Sequence, residues 1–247
     1  MNEKPEWLYL DLMKKTLSFI LWPEPPVPIT AFPGSISPLK RFLASAISRV
    51  LNKTKFQLVV NRNISLNQRI EGRVWPGYAD TMIGLKRLDN LQVCIEIVCN
   101  DGVEGDLIET GVWRGGACIF MRAVLVALRI EGRKVFVADS FEGLPKPDEK
   151  MYPADKGDKH HTNYYLVVSQ EDVENNFRRY GLLDDQVIFL KGWFKDTLPT
   201  APIEKLAILR VDGDMYGSTI ESLKYLYTKL SAGGFVLSTI MAWVGEN

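Results

Sequence analysis

The chain is poor in the features that mark several large protein classes. Cysteine is scarce: Cys94, Cys99 and Cys118 are an odd number in 247 residues and have neither metal-cluster nor disulfide-framework spacing. They read as core thiols of a protein in a reducing compartment. No excess of one charge exists, because 30 basic and 30 acidic side chains cancel, so the balance favours neither nucleic acid nor an acidic membrane surface. Long hydrophobic runs are missing too. The run from Leu17 to Trp22 is too short to span a bilayer, and the opening MNEKPEW lacks the basic start of a secretory signal, which makes the expected location cytoplasmic. Internal repeats and low-complexity tracts are absent. So is a G-x-G-x-x-G word, which argues against a nicotinamide-dependent oxidoreductase.

What is present is a globular composition, 46% hydrophobic, enough for one large domain or a domain with an added arm. The most informative stretch is Asp106 to Leu125, DLIETGVWRGGACIFMRAVL, which reads as a buried strand, a glycine turn and a helix start in succession. Leu107 and Ile108 lead into Glu109, Thr110 and Gly111 where a parallel strand would end, and Gly115 and Gly116 let the backbone turn into an apolar helix. A ligand would sit outside that strand end, facing helix N–H groups that favour negative charge. The plainer reading is an ordinary tight turn between strand and helix.

Before this stretch, residues 6–22 repeat apolar positions at helical spacing until the Pro-rich PEPPVPITAFPG, and PLKRFLASAISRVLNKTK is a second amphipathic helix with a basic face. Together they form an N-terminal arm suited to packing or subunit contact. Residues 59–78 are polar and turn-rich, interrupted by Trp75 and Pro76, and make a candidate lid near a ligand opening; residues 80–100 return to helical periodicity. Beyond Asp106 short apolar strands alternate with amphipathic helices, the order of a doubly wound parallel sheet: KVFVADSFEG, QVIFLKGWF, KLAILRVDGDMYG and FVLSTI are strands. QEDVENNFRRYGLLD is a helix capped by Ser169 and stopped at Gly181, and STIESLKYLYTKLSAGG is a helix with a glycine C-cap. Residues 151–163 form the long loop of this half.

Several side chains could carry chemistry. Asp139, at the end of the strand after the glycine turn, can accept hydrogen bonds from a ribose diol or simply cap the following turn. Asp212 and Asp214 end the fourth strand with carboxylates near the same crevice, where they suit a hard cation or form a solvated turn. His160 and His161 could act as a base, although loop histidines are usually just solvated. Trp75, Tyr78, Trp193 and Phe194 could stack on a flat or sugar-like ligand, or belong to the core.

The words YLDLMKKTL, WPGYADTMIGLKRLDNLQ, DLIETGVWRGGA, VFVADSFEGLP, YPADKGD, YGLLDDQVIFLKGWFKDTLP and LRVDGDMYGST, in this order and spacing, resemble the macrocin O-methyltransferase (TylF-type) family. These are S-adenosylmethionine-dependent enzymes that methylate sugar hydroxyls of macrolide and aminocoumarin antibiotics. The resemblance implies an α/β fold, a Rossmann-like class I methyltransferase parallel sheet in residues 101–247, with an N-terminal helical arm and lid in residues 1–100. It places S-adenosylmethionine over Glu109, Thr110, Gly111, Val112, Trp113, Gly115 and Gly116, its ribose on Asp139 and its adenine near Ser140, Phe141, Gly192 and Trp193. It also implies Mg²⁺ held partly by Asp212, with Asp212 or Asp214 helping to remove the acceptor proton. The acceptor would be a hydroxylated small molecule such as a glycoside, and the arm suggests a homo-oligomer with neither nucleic acid nor membrane as partner.

The sequence departs from the family pattern after GGFVL. The text STIMAWVGEN puts Thr239 and Ile240 where the family has an Asp-Asp pair, and the family's last helix and two final strands have no counterpart. Isoleucine offers a cation nothing and threonine only a neutral hydroxyl. The expectation is weak Mg²⁺ binding, lower stability and an exposed sheet edge. The alternative function is a catalytically impaired member that binds the cofactor or an intact paralogue without turnover.

Overall fold

The computed structural model describes residues 4–29, 37–62 and 64–238. In chain order the elements are α1 (Pro5–Leu17), β1 (Val27–Pro28), α2 (Pro38–Leu51), β2 (Val59–Val60), α3 (Leu66–Glu71), α4 (Gly84–Asn100), β3 (Asp106–Thr110), α5 (Gly116–Ala127), β4 (Val135–Asp139), α6 (Gln170–Arg179), β5 (Val187–Lys191), α7 (Phe194–Thr197), β6 (Leu206–Val211), α8 (Tyr216–Leu226) and β7 (Leu230–Ser238). Three of the strands, β3, β4 and β6, are buried almost from end to end, as strands covered on both faces must be. They lie within a parallel sheet of order β5-β4-β3-β6-β7. The chain winds outward from β3 through β4 to β5, then returns beside β3 as β6. In open parallel sheets the ligand crevice lies at such a reversal, here above the carboxyl ends of β3 and β6.

Side-chain alternation divides the apolar residues between the faces. Leu107, Val135 and Val137 point to one side and pack with α1, α4, α5 and α6; Ile108, Phe136 and Ala138 point to the other, towards Leu198, Ile203 and Leu226. Helix α5 is buried continuously from Gly116 to Leu125, which explains its lack of a polar face. Leu10, Met13 and Leu17 of α1 belong to the same apolar cluster, and the arm's first helix packs against α5 and α4. No described helix is long and apolar enough to cross a membrane.

Three boundaries differ from the sequence reading, each for a local reason. Helix α1 stops at Leu17 because Ser18 Oγ turns back to Lys14 O (2.7 Å) and Phe19 takes a left-handed backbone (φ 55°). Helix α4 starts only at Gly84, because the Asp80 and Thr81 N–H groups donate to Leu17 O instead of entering a helix. Helix α8 ends at Leu226 without its expected glycine cap: Gly233 and Gly234 lie inside β7, where the β6–β7 register shifts. Residues 151–163 contain short 3₁₀ turns, and Thr239 and Ile240 lie outside the described residues.

The arm is joined to the candidate lid by a buried charge pair. Arg69 of α3 donates to Glu24 Oε2 (2.6 Å), Trp22 O (3.0 Å) and Phe19 O, while Glu24 Oε1 accepts from Gly77 N (2.7 Å). Both side chains are almost wholly buried. Replacing Arg69 by Met leaves the buried Glu24 charge with only the Gly77 N–H and no counter-charge from Arg69, and the expected cost is about 3–5 kcal/mol of unfolding free energy. Urea titration reads this directly; a loss below about 1 kcal/mol would show that water reaches the pair.

Candidate functional site

The crevice is floored by the turn from Gly111 to Gly115, and this turn is conformationally demanding. Trp113 adopts φ 48° and Gly115 φ 82°, the left-handed region that only glycine enters freely. Asp139, at the end of neighbouring β4, stabilises it. Its Oδ2 accepts from Val112 N (2.8 Å), while its Oδ1 accepts from Phe141 N (2.9 Å) in a second turn where Phe141 is itself left-handed (φ 59°). Burial raises the Asp139 pKa, and the hydrogen bonds from Phe141, Val112, Ser140 and Trp113 oppose that rise. Ser140 Oγ donates to Gly143 O (2.6 Å), and the Phe141 ring packs into the core against Phe189. Gly192 N donates to Asp139 O (2.9 Å), which brings the third strand's end to the same place.

The other wall is an irregular strap, residues 75–80. It comes so close that a Cβ on Gly116 would lie 2.3 Å from Asp80 O, to which Gly116 N donates (3.0 Å). Arg114 Nη1 donates to Gly77 O (3.0 Å) and Ala79 O (2.8 Å), and the Tyr165 hydroxyl donates to Pro76 O. Trp75 stacks on Tyr165 and Tyr78 on Phe19, so in this structure both rings are engaged by protein. Below the crevice, Arg210 of β6 reaches across to Glu109 of β3, and its Nη1 also meets Asp212 Oδ2 (2.9 Å). Cys118 Sγ donates to Glu109 Oε2 (3.0 Å). Burial lifts the Glu109 carboxyl to about 7 against the pull of Arg210. The hydroxyl of Thr110, fully buried at the strand end, has no hydrogen-bond partner among the described residues.

At the mouth, Asp212 N donates to Thr110 O (2.9 Å), and Asp214 lies beyond it. Asp214 is exposed, yet partial desolvation and the like charge of Asp212 push its carboxyl up to about 6. Across from it the loop after β4 is fastened by Asp155, whose oxygens accept from Tyr216 N (2.7 Å) and Gly217 N (2.9 Å) at the start of α8. In that loop the exposed His160 pairs through Nδ1 with Asp158 (2.7 Å). Among the described residues no three His, Cys, Asp or Glu side chains converge as a metal site would require.

Glu109 to Gly116, Asp139, Ser140 and Gly192 are therefore gathered around one crevice, with Asp212 and Asp214 at its mouth. Trp193 stands at the cap of α7, and the Phe141 side chain faces away into the core. Arg210, Arg114 and Asp155 escaped the sequence reading. Arg210 had a legible signal, a lone charge within an otherwise apolar strand; Asp155 had none, since its partners lie about sixty residues downstream.

The family model described as Macrocin-O-methyltransferase (TylF) matches residues 6–242. The 8-demethyl-8-(2,3-dimethoxy-alpha-L-rhamnosyl)-tetracenomycin-C 4'-O-methyltransferase of Streptomyces olivaceus is 48% identical over 238 residues, spanning 96% of this chain and 80% of that one. Mycinamicin III 3''-O-methyltransferase of Micromonospora griseorubida is 45% identical over 233 residues, or 93% and 81% of the two chains. Demethyldecarbamoylnovobiocin O-methyltransferase of Streptomyces niveus is 58% identical over 170 residues, 68% of this chain and 65% of that one. The solved structure of the O-methyltransferase NovP superposes with a TM-score of 0.77 at 46% identity, covering 94% of this chain and 83% of that one.

The Glu109 carboxyl yields a pH test. Its folded pKa is raised from 4.5 to about 7, so between those values the folded chain binds more protons than the unfolded one and this group's stabilising contribution falls as pH rises. Denaturant titrations of the wild type and Glu109→Gln from pH about 4 to about 8 isolate it. The wild type should lose stability relative to the variant across that window. A constant difference would mean that Glu109 stays ionised against Arg210 throughout.

Proposed function

Because the chain belongs to the macrocin O-methyltransferase (TylF) family, we propose that it transfers the methyl group of S-adenosylmethionine to a hydroxyl of a sugar or other polyhydroxylated small molecule. The supporting observation is the crevice itself: a strained turn, an acid closing the adjacent strand and an unpartnered Thr110 hydroxyl, gathered where the strand order reverses. The relatives named above act on antibiotics whose names include sugar positions, and the acceptor class is carried over from them.

When bound, S-adenosylmethionine supplies an electrophilic methyl on a sulfonium, so the transfer is a direct displacement. The protein's share is position and proton removal. Each oxygen of Asp139 has spare lone-pair capacity for a ribose hydroxyl beside its backbone bonds. Ser140, Gly192 and Trp193 would border the adenine. The 12-residue helix α5 presents its positive end, beyond the Gly116 N–H already bound to Asp80, to the cofactor's carboxylate. Asp214, with its raised pKa, accepts the acceptor's hydroxyl proton, and Asp212 orients that hydroxyl. Mg²⁺, which the family resemblance carries with it, does not fit the described donors. Asp212 already shares an oxygen with Arg210, and among the described residues no third carboxylate or histidine joins it and Asp214. No metal step is therefore part of this reading.

The same incomplete acidic set favours the second reading, a member that binds cofactor or an intact paralogue without turnover. Residues 1–100 serve as arm and lid to the binding half, residues 101–247, in a cytoplasmic enzyme. A homo-oligomer through the arm fits the exposed apolar side chains of α2, with Phe42 71%, Val50 68% and Ile47 51% accessible, together with Trp7 and Leu12 of α1. Light scattering should show a multimer that Phe42→Glu with Ile47→Glu reduces to monomer; a wild-type monomer contradicts this assembly.

Methyl transfer from labelled S-adenosylmethionine to a panel of glycosides, with chelator or with added Mg²⁺, tests the activity. Transfer should occur and change less than about twofold with the cation, and Asp214→Asn should lower kcat about 10²–10⁴-fold. Cofactor binding without transfer to any acceptor would support the second reading, and no cofactor binding would contradict the first reading and the cofactor-binding form of the second.

A further inference from the structure

The strap has no regular secondary structure, yet nearly every backbone carbonyl from Trp75 to Asp80 is engaged. Trp75 O accepts from Arg62 Nη1 (2.5 Å), Pro76 O from the Tyr165 hydroxyl, Gly77 O and Ala79 O from Arg114, and Asp80 O from Gly116 N. Arg114 is the one side chain in this set that sits within the glycine turn itself. Its guanidinium lies 4.3 Å from the centroid of the Trp113 ring and 5.7 Å from that of Tyr165. Trp113 Nε1 in turn donates to Tyr165 O (3.0 Å), and the Arg114 carbonyl accepts from Asn176 Nδ2 of α6 (3.0 Å). Turn, strap, loop and α6 therefore meet at this residue.

We propose that Arg114 is a positioning residue that holds the strap against the Val112–Gly116 turn and thereby sets the affinity of the cofactor crevice. The inference rests on the reading of that crevice as an S-adenosylmethionine site. Arg114 is only half-buried and belongs to neither apolar cluster; the carbonyls and rings its guanidinium meets are crevice walls. Losing it removes a charged donor from Gly77 O and Ala79 O together and uncovers the Trp113 ring, whose left-handed backbone needs outside support. A lysine keeps the charge but lacks the planar guanidinium that stacks on Trp113 while reaching two carbonyls.

Calorimetric titration with S-adenosylhomocysteine of the wild type, Arg114→Lys and Arg114→Ala is the test. Each hydrogen bond to a charged group contributes enough that Arg114→Ala should weaken binding about ten- to hundred-fold, with Arg114→Lys in between. KM for the acceptor should stay within about twofold, and amide exchange should quicken at residues 77–80 but not in β3 or β4. A merely structural role would instead lower stability throughout and leave cofactor affinity in the remaining folded protein unchanged. Tyr165→Phe, which cuts the tie to Pro76 O, provides a second lesion of the clamp and should weaken cofactor binding several-fold. Variants that bind as tightly as the wild type overturn the positioning role alone; a wild type that binds no S-adenosylhomocysteine overturns the cofactor reading and this role with it.

Discussion

One carboxylate constrains both sides of the crevice. Asp139 accepts from the turn after β3 and from the turn after β4, and each turn contains a non-glycine residue with positive φ, Trp113 in one and Phe141 in the other. Such conformations persist only where the surroundings over-determine them. Here the surroundings are a buried acid supplied by the neighbouring strand, so the parallel register of β3 and β4 fixes the shape of the crevice. Capping a turn does not use up the Asp139 carboxylate: one backbone N–H bonds each oxygen, and a carboxylate oxygen can accept more than one hydrogen bond.

Beneath this lies a second constraint, between β3 and β6. Arg210 is buried among Glu109, Asp212 and the Cys118 thiol, at the point where the strand order reverses. A buried charge without partners is costly, whereas a connected set is tolerable and specific in its geometry. The set joins the floor of the crevice to Asp212 at its mouth. It also turns one oxygen of Asp212 towards the Arg210 guanidinium.

Much of this was legible in the chain. The sheet followed from buried apolar runs that alternate with helical periodicity, and the family followed from long words in a fixed order. The Asp139 position followed from its place at a strand end, and Ser169 caps α6 as its spacing implied. Apart from Arg210, what escaped had no local signal or a misleading one. The apolar repeat continues past Leu17, but tertiary bonds from Asp80 and Thr81 to Leu17 O are what close that corner. Gly233-Gly234 looks like a helix cap and instead lies in β7, where strand pairing overrides the turn preference. The polar stretch around Trp75 suggested a lid; the structure adds that it is fastened along its length by Arg62, Tyr165, Arg114 and Gly116.

The central claim is that the crevice outside β3 and β4 receives an adenosyl cofactor, and chemical-shift mapping of backbone amides during addition of S-adenosylhomocysteine tests it most directly. Perturbations should concentrate at residues 110–116, 139–143 and 192–193 and saturate together with a single affinity. Shifts centred on the arm helices, or none at saturating ligand, would contradict it.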